Sequence, residues 1–84
     1  MIQKVFVVYD SKVDAYMSPF FMAARGQAIR SFVEIASDKT HNIGKYPADF
    51  TLFELGEYDD SSAKFTLHAT PVSLGVALEL IPKE

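Results

Sequence analysis

Residues 9–32, Y-D-S-K-V-D-A-Y-M-S-P-F-F-M-A-A-R-G-Q-A-I-R-S-F, set Tyr16, Phe20 and Phe21 among Lys12, Arg25 and Arg30. Rings interleaved with cations suit a single strand of nucleic acid, because bases stack on rings and phosphates meet cations. Arg is apt for both tasks, since its planar guanidinium pairs with phosphate and stacks on a base. Met17 and Met22 beside the same rings suit an adaptable protein surface instead. A third reading puts Phe20 and Phe21 in the core and both Arg in ion pairs, Arg30 with Glu34 for example. The six residues are therefore candidate contacts for nucleic acid or a partner, with three readings open.

Other chemistry finds little footing. The chain has no Cys, so a thiol nucleophile, a Cys-ligated zinc or a disulfide is excluded. His41 sits in a polar loop and His68 on a wet strand face, with no carboxylates at ligand spacing. Gly44-Lys45 resembles the end of a phosphate loop, but Lys39 stands where that loop needs Gly and Tyr46 where it needs Ser or Thr. Ser73-Leu74-Gly75 fails as a nucleophile elbow because Pro71 replaces the first Gly. Glu57, Asp59 and Asp60 lack calcium-loop spacing and read as turn-forming acids. Asp10 and Asp14 have nothing nearby to separate their pKa values, so Asp10 reads as a strand stop and Asp14 as a solvated acid. The expectation is a non-enzyme without metal or cofactor.

Eighty-four residues, 49% of them hydrophobic, make one packed domain. A domain this small without staples often associates with itself or a partner, so a homo-oligomer is an expectation too. The net charge of −3 argues against a generic polyanion binder. The charge is uneven: residues 1–45 hold six Lys and Arg against four acids, residues 46–84 two against seven. The first apolar run, Val5 to Tyr9, is too short for a signal sequence or a membrane span. The protein is expected to be soluble and cytoplasmic.

These side chains need elements to position them. Residues 3–9 are β-branched and aromatic with little alternation, the mark of a strand buried on both faces. Residues 11–24 read as irregular or weakly extended, broken by Pro19. The spacing predicts a helix over 27–38, with Ile29, Phe32, Val33 and Ala36 on one stripe and Gly26 as its best cap. Residues 39–49 read as a polar loop. Strands at 51–58 and 64–69 flank a 59–62 turn, in a register that pairs Glu57 with Lys64 and Tyr58 with Ala63. The tail mixes signals; a helical turn near 71–76 followed by extended chain is preferred. The fold class is α+β, a small, mainly antiparallel sheet with one amphipathic helix on it. The helix stripe should meet Val5, Val7, Phe65 and Leu67.

A family resemblance is carried by V-Y-D-S-K-x-x-A-Y (8–16), P-F-F-M (19–22), G-x-A-I-R-S-F (26–32), G-K-Y-P-A-D-F-T-L-F-x-L-G-E-Y-D-D (44–60) and T-P-V-S-L-G-V-A-L-E (70–79). In this order and at this length the chain resembles the small nonstructural protein of gokushovirus-type microviruses, icosahedral phages with circular single-stranded DNA. That family is often equated with the microvirus protein C. The resemblance implies a role in the synthesis of single-stranded genomes and their packaging, in the host cytoplasm. It implies viral DNA, single-stranded or replicative form, the replication complex and the procapsid as partners. It supplies no catalytic residues. An alternative is a module that binds phage or host replication proteins without touching DNA.

Overall fold

Ile2–Asp10, rich in Val and aromatics, forms the first strand (β1) of the computed structural model, which describes residues 1–82. The chain doubles back along one edge of β1 in two pieces, Ala15–Tyr16 (β2) and Phe20–Met22 (β3). Between them the Met17 N–H still reaches the Val8 carbonyl at 2.8 Å. Pro19, with no N–H to give, falls in the break. The long helix follows at Arg25–Ala36 (α1), then a short helix at Asn42–Lys45 (α2) and a 3-10 turn at Pro47–Asp49. Strands Phe50–Asp59 (β4) and Lys64–Val76 (β5) form a hairpin, and Ala77–Leu80 (α3) closes the described chain. The sheet order is β2-β1-β4-β5, with β3 also on β1, and every pairing is antiparallel. The expected α+β class is what the structure has.

Strand alternation sends Phe6 and Val8 to one face of β1, and Val5 and Val7 to the other. The helices cover the first face only. There Phe6, Val8, Phe50 and Leu52 pack with Ala28, Phe32 and Ala36 of α1, Ile43 of α2 and Ala77 of α3. Phe32 is buried and Ile29 partly so, which places the helix stripe as expected. Its partners differ from the expectation. Val5 and Val7 lie on the opposite face, and Phe65 and Leu67 are exposed. All four residues share the strand parity that faces away from the helices.

Four local expectations are corrected as well. The helix begins at Arg25, not 27, and its cap is Ala24: the Gln27 side chain reaches back to accept the Ala24 N–H at 3.1 Å, while Gly26 lies inside the first turn. The 39–49 loop holds helical turns that bury Ile43, and His41 caps α2 by accepting the Ile43 N–H at 3.1 Å. The hairpin exists, but Asp59 faces Lys64, Tyr58 faces Phe65 and Glu57 faces Thr66. Its turn spans 60–63 and ends on Ala63 in the left-handed region, φ 60°. Glu57 finds its cation on β1, Lys4 at 2.9 Å. Finally, the tail runs the other way round: strand to Val76, then a helical turn. The alternation of Val72, Leu74 and Val76 prevails, Pro71 is tolerated on an edge strand, and Gly75 at φ +133° supplies the irregularity that read as weakened helix.

With Phe32 central to the helix-side core, Phe32→Ala should destabilise the domain by about 3–5 kcal/mol. Urea denaturation followed by far-UV circular dichroism measures this; a loss under about 1 kcal/mol would remove Phe32 from the core's centre.

Candidate interaction surface

The face of the sheet opposite the helices carries the rings. Tyr16 of β2 lies against Tyr9 of β1, centroids 4.9 Å apart, and edge-on to Phe53 of β4 at 6.1 Å. At the other end Phe21 of β3, Tyr58 of β4 and Phe65 of β5 form a second group, with Tyr58 and Phe65 at 4.7 Å. Phe21 and Phe65 come within 6.2 Å although β1 and β4 run between their strands. They can lean together because Val5 and Gly56, paired beneath them, are small. Val5 and Val7 are thereby 2% and 3% exposed on a face that has no helix. Between the two groups lies an apolar depression of about 300 Å³ lined by Val7, Tyr16, Met17, Pro19, Leu55 and Pro71.

The rings do more than cover the valines. Tyr16 and Phe65 each remain 55% exposed, Leu67 62% and Phe21 41%. Such a contiguous apolar surface is the usual mark of a contact site. The face is uncharged at its paired positions: residues 3, 5, 7 and 9 of β1 and 65 and 67 of β5 are all neutral. Asp14 approaches it, accepting a hydrogen bond from the Tyr9 hydroxyl that holds the phenol above its ordinary pKa.

The six sequence candidates separate. Tyr16 and Phe21 are on the open face and exposed. Phe20 turns the other way, stacks on Phe6 at 5.6 Å and packs, partly buried, against the helix-side core. Lys12 is exposed in the β1–β2 turn beside a cleft lined by Asp10, Asn42, Tyr46 and Asp49. Arg30 is exposed on α1 and makes no ion pair among the described residues. Arg25 is engaged: its Nε and Nη2 donate to the two oxygens of Glu54 at 3.0 and 3.1 Å. Sequence reading missed Phe53, Tyr58, Phe65 and Leu67. Their signal was present, since β1 and β4 both offer apolar residues on two faces while a single long helix can cover only one.

Glu54 is buried on the helix side, 1% exposed, and His68 also donates to it, Nε2 to Oε2 at 2.7 Å. Arg25 first, then His68, hold its carboxyl down at about 2 against the cost of burial. This cluster ties the start of α1 and the middle of β5 to β4. It is fully satisfied, which makes it structural rather than an empty site.

A family model described as Phage ORF5 protein matches residues 3–80. No curated protein and no solved structure matches. No helix among the described residues is long and apolar enough to cross a membrane.

The Glu54 carboxyl titrates at about 2 in the fold and near 4.5 when unfolded. Its contribution, roughly 2–3 kcal/mol once the exposure of Arg25 is allowed for, is therefore complete above about pH 4.5 and fades as pH falls toward 2. Glu54→Gln should lower stability at pH 7 and flatten the pH dependence of stability below pH 5. Urea midpoints measured from pH 7 to pH 2.5 check it; an unchanged slope would mean the cluster carries no net pairing energy.

Proposed function

The chain belongs to the Phage ORF5 protein family, and we propose that it is a non-enzymatic phage protein that docks other proteins through its open, ring-bearing sheet face. The work implied by its resemblance to the gokushovirus nonstructural protein is viral single-stranded DNA synthesis and packaging. The partner is then the DNA-bound replication complex or the procapsid, met in the host cytoplasm. The observation that carries this reading is the separation of rings from cations. Tyr16, Phe21 and Phe65 are exposed on a face whose paired positions are neutral. Arg25 is held by Glu54, and Arg30 stands on the helix layer. Aromatic residues on an uncharged, desolvated patch are the usual anchors of protein interfaces. A nucleic-acid groove needs cations alongside the stacking rings.

Direct contact with DNA is the second reading. It is favoured by the exposure of three rings on one sheet face, where bases could stack. Lys12 and Arg30 would then supply phosphate contacts from the margins.

Two titrations separate the readings. Fluorescence anisotropy with a single-stranded and a duplex oligonucleotide at low and high salt should give weak binding, insensitive to Arg30→Ala. Purified phage replication and capsid proteins, each immobilised, should bind the chain, with affinity falling about tenfold on Phe65→Ala or Tyr16→Ala and changing little with salt. Tight oligonucleotide binding that weakens steeply with salt and on Arg30→Ala would replace docking with DNA contact.

A further inference from the structure

The two edges of the sheet are built differently. On the β2/β3 side the edge is broken into strands of two and three residues with Pro19 between them. That is how sheets avoid edge-to-edge pairing. On the other side β5 runs 13 residues with no strand against it among the described residues, and residues 64–73 are all exposed. Its middle is interrupted: β4 pairs Gly56 with Leu67 and then Glu54 with Val72, so residues 68–71 bow out of the ladder, Pro71 among them. What remains is Lys64–Leu67, laddered regularly to β4, with His68 continuing it as extended strand.

This segment is complementary to itself. A Cβ added at Gly56 would collide with the Thr66 carbonyl, so Thr66 turns its backbone groups toward β4. By strand alternation, Phe65 and Leu67 turn their N–H and C=O groups to the free edge. A two-fold axis through Thr66, perpendicular to the sheet, sets Phe65 opposite Leu67 of a second copy, and Leu67 opposite its Phe65. These are two of the most exposed large apolar side chains on the open face, and each pairing exchanges backbone hydrogen bonds. On the helix side Thr66 meets Thr66, and Lys64 comes beside the His68 that Glu54 already holds. No like-charged acids meet, which matters for copies that each carry −3.

We propose that the protein forms a symmetric dimer by antiparallel pairing of residues 64–68, making one continuous sheet. The axis keeps both ring-bearing faces on the same side, so the dimer presents them as a single platform. The dimer stands independently of whether that platform meets protein or DNA. Five paired residues per copy fall short of the ~800 Å² per partner of a standard stable interface, so the dimer should dissociate in the micromolar range.

The register makes a distinctive test, because residue 66 faces itself across the axis. Sedimentation equilibrium of the full chain from about 1 to about 300 µM should show mass rising from monomer to dimer. Thr66→Lys and Thr66→Glu, exposed changes on the helix-side face of the strand, should each weaken self-association by tenfold or more. An equimolar mixture of the two should restore it as a heterodimer. Far-UV circular dichroism and urea midpoints keep misfolding apart from lost pairing. A monomer at every concentration overturns the proposal. So does a dimer that survives Thr66→Lys, a mixture that fails to recover association, or a dimer abolished by Tyr16→Ala on the open face.

Discussion

Strand β1 is apolar on both sides, and the helices reach only one of them. The remaining architecture follows from what is done with the uncovered side. Val5 and Val7 cannot be left in water without losing roughly 1.5 kcal/mol or more apiece. In place of a second layer of helix, the sheet folds its own rings over them. This needs neighbouring strands to supply aromatics at matching levels, and Tyr16, Phe21, Phe53, Tyr58 and Phe65 do so. It also needs a hollow for the rings to lean into. Gly56 opposite Val5 provides it, at φ +154° and with no room for a Cβ against β5. The consequence is a half-sandwich whose outer layer is one side chain thick. Rings that cover valines from above necessarily expose their own upper faces.

Charge is arranged around the same constraint. The one buried carboxylate among the described residues, Glu54, lies on the helix side and takes Arg25 and His68 with it. Lys4 and Glu57 pair on that side too. The pairs fasten the first turn of α1 and the bowed part of β5 to β4, and they keep those charges off the ring face. Arg25 shows how a residue apt for phosphate can be committed elsewhere. Its two bonds to a buried carboxylate would have to break before it met a ligand, and removing one partner from such a pair is costly.

Much of this was legible in the sequence, and what was not has physical causes. The double-sided run at 3–9, the helix stripe on Phe32 and the turn near Asp59-Asp60 are short-range patterns, and each marks a real element. What failed was parity and register. Phe65 and Leu67 alternate with polar neighbours just as core-facing residues would, and alternation does not say which face the helix takes. The bulges at Gly56 and at 68–71 shift the ladder in ways that local composition does not encode. The ion pair of Arg25 joins residues 29 apart in sequence, beyond the reach of any spacing rule. Composition marks 9–32 as one apolar, interrupted segment, but does not say that Phe20 turns to the helix side and Phe21 to the open face.

The division has a consequence for how so small a chain holds together. A radius of gyration of 13.2 Å exceeds the ~12 Å of a compact chain this long, and the body measures 42 × 25 × 19 Å. The excess lies in the hairpin end, where β5 gives the helix-side core only Leu74 and leaves residues 64–73 exposed. On the β5 side this end has only β4 and the Phe21–Tyr58–Phe65 group to hold it, while β1 supports β4 from the other side. The same rings thus hold the hairpin, shield Val5 and form the exposed patch. Trimming them for lower exposure would loosen the hairpin, and burying them under a partner would firm it. Contact at this face should therefore stabilise the part of the fold that has least support of its own, by simple linkage between binding and folding.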